Sequence, residues 1–311
     1  MRAAVLHDYG ADPVVESFDD PEAAEGRLVL AVGAAGLNPI DLRVASGALA
    51  DRRPPLPSVV GSEGVGRDDD GRRFYFSGTL KPFGAVAERT LVEADGAVEV
   101  PEGVEDGQAV ACGIAGTAAY GSLIRRGQLR EGETVLVLGA SGVVGLVAVQ
   151  LAKLRGAGRV VAAARSEDGL RRAAEAGADA TVSLTGDDLT AAFKDAAGGD
   201  LDLVIDPLWG APAAAAVDAL AFRGRLVQLG QSAGPTAEFG SVNVRFKELS
   251  ILGYTNFAAT RAEQVEALQG LWGHVAKGEL TLEVEAYPLD RAAEAWTAQA
   301  GSPGRKLVVT P

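Results

Sequence analysis

The chain reads as an α/β protein: a doubly wound parallel sheet with helices on both faces, joined to a second, β-rich domain. Three observations predict this. The stretch Val135-Leu-Val-Leu-Gly139-Ala-Ser-Gly142-Val-Val-Gly145 sets an apolar run before three glycines spaced by three, and an apolar segment of helical length and period follows over 145–155. Strand and helix patterns then alternate to about residue 250, which means crossover units and parallel pairing. Before about residue 110, short apolar or alternating runs are separated by Gly, Pro and Asp turns.

In chain order, Met1-Arg-Ala-Ala-Val-Leu opens as a strand without a signal-peptide layout. Arg27-Leu-Val-Leu-Ala-Val-Gly33 and Phe83-Gly-Ala-Val-Ala-Glu-Arg-Thr-Leu-Val92 read as further strands. Pro54-Pro-Leu-Pro57 marks an extended loop and Arg67-Asp-Asp-Asp-Gly71 a polar turn. Beyond the glycines, strands are expected at 159–164, 180–183, 201–206, 225–230 and 248–253, with helices at 169–176, 189–197 and 211–220. A long helix is expected over 260–277, with Gly278 as its stop, and a closing strand over 306–310. The expected domains are 1–110, 111–250 and a return segment 251–311 that rejoins the first.

Composition narrows the function classes. A net charge of −13 repels nucleic acid and anionic membranes, so neither is expected as a partner, and an anionic cofactor must find a local positive site. A single cysteine, Cys112, excludes an internal disulfide framework and suits a reducing cytoplasm.

The glycine stretch carries the clearest chemistry. A strand running through a glycine turn into a helix aims backbone N–H groups and the positive helix end at a pyrophosphate. Glycine is needed there because a Cβ would block the turn and the phosphate's approach. The first position of the usual G-x-G-x-x-G is Ala140, and the strand–turn–helix context compensates for it. Where the second strand ends, an Asp or Glu would bind a free ribose 2′-hydroxyl and repel a 2′-phosphate. This chain has Ala164-Arg165-Ser166 there, and a guanidinium offers a charge-assisted fork to phosphate, so NADPH is expected over NADH.

Four segments in order carry a resemblance: Ala34-Ala-Gly-Leu-Asn38-Pro-Ile-Asp41, Gly139-Ala-Ser-Gly-Val-Val-Gly145, Gly230-Gln-Ser232 and Gly304-Arg-Lys306-Leu-Val-Val. The chain resembles the zinc-free, quinone oxidoreductase-like branch of the medium-chain dehydrogenase/reductase superfamily. The resemblance implies a Rossmann-type doubly wound sheet plus a β-rich GroES-like catalytic domain, with the active site between them. It places Asn38 beside nicotinamide and substrate with Asp41 shaping the loop, although Asn38-Pro39 and Asp41 also fit a plain Asx-type cap. It carries Ser141, Gly142, Val143, Val144 and Gly145 onto the pyrophosphate, and Arg165 and Ser166 onto the 2′-phosphate. Asp206, Pro207 and Leu208 go beside the adenosine, and Gly230 and Ser232 near the nicotinamide ribose. Tyr254, Asn256 and Lys306 are expected to close over the nicotinamide end, although Lys306 also fits a strand-end surface lysine.

Zinc-dependent relatives place a Cys where Asn38 stands and a His where Ser62 stands, and Cys112 alone cannot make a three-ligand site, so no metal is expected. The branch often has a tyrosine where this chain has Arg43; Tyr75, Tyr120 and Tyr254 remain as proton-donor candidates that the sequence does not separate, with Tyr254 carried as a catalytic candidate. The loop from Gly61 to Phe83 is shorter than in many relatives.

The expectation is therefore a cytoplasmic, zinc-independent NADPH oxidoreductase that moves a hydride to a quinone, an enone or a similar hydrophobic carbonyl compound. Two alternatives are a non-catalytic NADPH-binding redox sensor and an enoyl-thioester reductase, the latter needing a basic entry such as Arg43, Arg52 and Arg53. By analogy with relatives, a homodimer pairing edge strands near 241–253 is expected.

Overall fold

A computed structural model describes every residue from Met1 to Pro311. The chain folds as two compact units, Met1–Ile114 with Leu268–Pro311, and Ala115–Ala267.

The first unit opens with β1 (Arg2–Leu6), β2 (Val14–Ser17), β3 (Arg27–Gly36), α1 (Pro39–Ala45), β4 (Ser58–Val59), β5 (Glu63–Arg67), β6 (Arg73–Ser77), β7 (Arg89–Glu93), β8 (Val98–Glu99) and α2 (Asp106–Ala111). The second unit carries α3 (Thr117–Tyr120), β9 (Thr134–Leu138), α4 (Val143–Leu154), β10 (Arg159–Ala164), α5 (Glu167–Glu175), β11 (Ala180–Ser183), α6 (Leu189–Ala197), β12 (Leu201–Asp206), α7 (Gly210–Ala219), β13 (Leu220–Gln228), α8 (Ser241–Phe246) and β14 (Ser250–Gly253). The helix α9 (Arg261–Ala276) begins in the second unit and ends in the first. There β15 (Val284–Pro288), α10 (Ala292–Ala300) and β16 (Lys306–Thr310) complete the chain.

In the first unit, β2-β1-β4 form a small antiparallel sheet, and β15-β16-β3-β5-β6-β8 with β7 on β3 form a larger one. Its core joins Leu6, Leu30, Phe76, Trp296 and Leu307. The single strand expected over 83–92 is regular only as β7. A Cβ on Gly84 would stand 2.2 Å from the Val59 carbonyl, so the chain lies flush on β4 there, and Ala85 and Val86 bond Gly61 and Val60 outside the ladder.

In the second unit, the sheet order is β11-β10-β9-β12-β13-β14 with every pairing parallel. This is the doubly wound order 3-2-1-4-5-6, whose direction reverses between β9 and β12. Leu136, Val161, Val204 and Leu226 are fully buried because helices cover both faces. Fully burying such a side chain contributes about 1.5–3 kcal/mol. β14 adds to β13 as the edge strand, so the second unit runs to Ala267, past the boundary expected at 250. The pairing of 250–253 depends on long-range contact with β13, which local pattern does not encode. No helix is long and apolar enough to cross a membrane.

Candidate active site

Because all six strands of the second unit run the same way, the residues just past their carboxyl ends share one edge of the sheet. Past β9, Gly139 turns the chain at φ +62, Gly142 N–H bonds the Gly139 carbonyl at 3.1 Å, and Gly142 caps α4. A Cβ on Gly145 would stand 2.5 Å from both Ala140 Cα and the Gly139 carbonyl oxygen, so only glycine lets α4 seat on the turn. Ala140 N–H bonds Ala163 O at 3.0 Å, which ties the turn to β10. Ser141, Val143 and Val144 are half-buried where the first N–H groups of α4 lack helical partners.

Past β10, Arg165 is exposed, and Ser166 caps α5 by accepting the Gly169 N–H at 3.1 Å. Its hydroxyl proton is left to donate outward. A Cβ on Gly169 would meet Ser141 Cβ at 2.4 Å and Ser166 Oγ at 2.8 Å, so the two serines flank one point.

Past β12, Asp206 departs from its expected role. Its carboxylate is fully buried, and Oδ1 accepts from Leu208 N at 2.9 Å and Trp209 N at 2.8 Å. It holds its own turn instead of facing a nucleotide, and burial pushes its pKa up to about 6 against the pull of those two N–H groups. Pro207 and Leu208 are the outward part of that turn and pack on Gly139. Gly230 lies beneath Pro207, where a Cβ would meet the Pro207 carbonyl at 2.4 Å, and exposed Ser232 donates to that carbonyl at 3.3 Å.

Past β14, the Tyr254 ring fills the space a Cβ on Gly121 would need. Its phenol donates to Asn256 Oδ1 at 3.0 Å, and Asn256 Nδ2 donates to Thr117 Oγ1 at 3.1 Å. Burial raises the phenol's pKa and the Arg125 charge opposes it. The Tyr254 proton is therefore engaged, which weakens the expectation that it is a free acid. Tyr120 is likewise engaged, on Glu266 at 3.0 Å.

The other sequence-predicted residues meet in the first unit. Lys306 is not a surface lysine. It is 1% exposed, its ammonium bonds Asn38 Oδ1 at 2.8 Å and Leu37 O at 3.2 Å, and it pairs with the fully buried Glu63. A buried ammonium persists only when paired in this way. Asn38 Nδ2 donates to Glu63 Oε1 at 2.8 Å and lies 3.4 Å from Asp41 Oδ2, so both amide hydrogens aim at carboxylates. Asp41 Oδ2 accepts the Asn38 backbone N–H at 2.9 Å, which is the cap anticipated for α1, and Oδ1 accepts from Ser62 Oγ at 2.5 Å. Burial raises the Asp41 pKa, Ser62 lowers it, and the Glu63 charge raises it again.

Glu63 is the hub that sequence reasoning missed. It also accepts from Tyr75 at 2.8 Å and Ile114 N–H at 2.7 Å. The signal was an acid at the start of the strand segment Glu63-Gly-Val-Gly66, and glycines at 36 and 113 leave room for its oxygens, which Cβ atoms there would meet at 2.8 and 2.3 Å. Cys112 is buried, and desolvation with the Glu63 charge pushes its thiol up to about 12.

Comparison with known proteins fits this geometry. The family model "Zinc-binding dehydrogenase" matches residues 143–270. The crystal structure of the quinone oxidoreductase from Thermus thermophilus, also determined in complex with NADPH, is 32% identical, with all of each chain covered and a TM-score of 0.85. The chain belongs to the medium-chain dehydrogenase/reductase family, in its quinone oxidoreductase-like branch. It is an oxidoreductase. Human quinone oxidoreductase is 29% identical over 310 residues, spanning 95% of this chain and 92% of its own length. The Escherichia coli quinone oxidoreductase complexed with NADPH is 25% identical over all of both chains, with a TM-score of 0.88. Arg53, one of the three arginines of the expected basic entry, bonds Gly47 O through Nε at 2.8 Å and lies over the Tyr9 ring.

Proposed function

We propose that the chain binds NADPH and reduces quinones, enones or similar hydrophobic carbonyl compounds without a metal. One observation carries the reading: a glycine turn at the point where strand order reverses, with Arg165 and Ser166, and no acid, at the end of the neighbouring strand. The turn fits a dinucleotide at Gly142, where a Cβ would meet nothing nearer than the Gly139 carbonyl at 3.6 Å, so the approach to the amides is open. The N–H groups of Ser141 through Val144 would hold the pyrophosphate, Arg165 and the Ser166 hydroxyl the 2′-phosphate, and Pro207, Leu208, Gly230 and Ser232 would wall the nucleoside portions. When bound, the dinucleotide supplies a hydride from its nicotinamide C4. Asn256, braced by Thr117 and Tyr254, is a rigid polar group for the nicotinamide end.

Asn38 and Asp41 act in this reading as positioning groups. The Glu63–Lys306 pair locks the Asn38 amide, and Asp41 locks the backbone entering α1. Metal independence rests on donor chemistry. At the positions where zinc relatives carry ligands, this chain has an amide engaged by an ammonium, a serine bonded to Asp41, and a thiol too basic to ionise readily. We also propose a cytoplasmic homodimer through the open edge of β14, beside the exposed Val242, Phe246 and Ile251.

The test is steady-state NADPH oxidation with a panel of naphthoquinones, enones and enoyl thioesters, with and without EDTA. The reading expects turnover of quinones or enones that EDTA does not change. NADPH binding without turnover across the panel would make the chain a sensor and overturn the reading.

A further inference from the structure

At the carboxyl end of β12, Asp206 is fully buried with its two oxygens used unequally. Oδ1 accepts from Leu208 N at 2.9 Å and Trp209 N at 2.8 Å, while Oδ2 is buried and has no hydrogen-bond partner. An ionised carboxylate satisfied on one side only is costly to bury, and a proton on Oδ2 removes the charge. The turn it holds is strained. Trp209 sits at φ +58 and ψ −158, a region that glycine almost alone occupies. Such strain persists where several neighbours fix the same conformation. Here they are the Asp206 carboxylate, the T-shaped contact of Trp209 with Phe239 at 6.3 Å, and the Ala233 N–H on Leu208 O at 2.8 Å. The result is a fixed position for Pro207 and Leu208, which a Cβ on Gly139 would meet at 3.2 and 3.0 Å.

No charged side chain bonds or pairs with this carboxylate. On the elements packed around it, Asp202 accepts the Thr134 N–H at the far end of β12, Arg225 pairs with Glu133, and Arg223 pairs with Glu248. Asp218 and Lys247 meet at the far end of α7, Arg125 pairs with Glu263, and Arg126 donates to Gly253 O. Arg165, exposed on the same sheet edge, is separated from Asp206 by β9, and Glu238 is exposed on the loop that carries Phe239. Burial therefore sets the proton affinity of Asp206, with a pKa of about 6 against the pull of two N–H groups.

The amides assigned to the pyrophosphate begin next to Gly139, against which Pro207 and Leu208 pack, so negative charge held there disfavours the ionised form of the Asp206 carboxyl. We propose that Asp206 is a positioning residue for the dinucleotide: it fixes the Pro207–Leu208 wall through two N–H groups and takes up a proton as the dinucleotide binds. The role rests on the dinucleotide reading of the glycine turn given above. The proton comes from solvent, forms an O–H bond at the carboxyl, and returns to solvent on release.

Isothermal titration calorimetry of NADPH at about pH 6.5, in two buffers of different ionisation enthalpy, counts the protons. The 2′-phosphate itself titrates near pH 6, so wild type is read against Asp206→Asn, which lacks only the ionising carboxyl. If binding raises the carboxyl's proton affinity tenfold, wild type takes up about half a proton more per NADPH than the variant. Its Kd also rises about fivefold more than the variant's from pH 6 to pH 8. The hold on the turn is read at about pH 6. There Asp206→Asn, which keeps an oxygen for both N–H groups, should bind NADPH within about twofold of wild type, and Asp206→Ala about tenfold less tightly. Equal proton counts in wild type and Asp206→Asn, or wild-type affinity in Asp206→Ala, would overturn the assignment and leave the dinucleotide reading standing. If Asp206→Asn lacks a cooperative melt, the proton count of wild type with NADH, which carries no 2′-phosphate, decides: about half a proton supports the assignment and none overturns it. If wild type binds neither nucleotide, the dinucleotide reading falls and the role of Asp206 falls with it.

Discussion

Arg165 and Asp206, at the ends of the strands that flank β9, show how differently two charged residues are used. Arg165 stands exposed at the end of β10 with its donors toward solvent, ready for an anion. A charge-assisted contact of this kind is worth about 1.5–3 kcal/mol. Replacing Arg165 with Ala should therefore weaken NADPH about 10- to 100-fold and leave NADH nearly unchanged, as read by fluorescence titration of each. Equal loss for both would remove the 2′-phosphate role. Asp206, buried on its own turn, has its pKa displaced upward by desolvation, opposite to an acid paired with a cation. Its folded pKa is raised from 3.8 to about 6, so its contribution to stability is fully present below about pH 4 and is lost as pH rises through 6. That displacement is worth about 3 kcal/mol. Asn at 206 keeps an oxygen for the Leu208 and Trp209 N–H groups and cannot ionise. The stability of Asp206→Asn relative to wild type, from denaturant melts, should therefore increase from pH 5 to pH 8. A difference that stays flat or falls would contradict the burial of an ionising carboxylate.

At the scale of the element, β9, the glycine turn and α4 form one device, because the helix reaches its seat only through Gly145. A side chain there overpacks the joint, at about 1–3 kcal/mol, and lifts the helix N–H groups off the turn. Gly145→Ala should thus lose at least about tenfold in NADPH affinity with a modest drop in melting temperature; unchanged affinity would show that α4 does not hold the pyrophosphate. This device was legible in the sequence because strand, turn and helix are contiguous, and each obeys a local period or a steric need for glycine. The strands 180–183, 201–206 and 306–310 were legible for the same reason. What stayed hidden was long-range. Lys306 and Glu63 are far apart in sequence, and neither the nicotinamide-end role nor the surface position expected of Lys306 points to Glu63, yet burial forces the two together. The inward turn of Asp206 and the engagement of Tyr254 by Asn256 likewise depend on which way a side chain faces once strands are aligned. β14 found its partner only through tertiary pairing.

Across the whole molecule, a net charge of −13 opposes the approach of any polyanion. A phosphorylated dinucleotide can therefore be retained only where local N–H groups and a guanidinium outweigh that field at short range. The parallel sheet supplies one such edge, since the carboxyl ends of β9, β10, β12, β13 and β14 all open on it. The first unit is organised around a different principle, a buried ion pair that fixes Asn38 and Asp41 in one arrangement. The most direct measurement is diffraction from a crystal of the protein soaked with NADPH. The account predicts density for the pyrophosphate against the amides of 141–144 at the start of α4, with the Arg165 guanidinium within hydrogen-bonding distance of the 2′-phosphate. Nucleotide density elsewhere, or an Arg165 side chain turned into bulk water beside a bound NADPH, would contradict it.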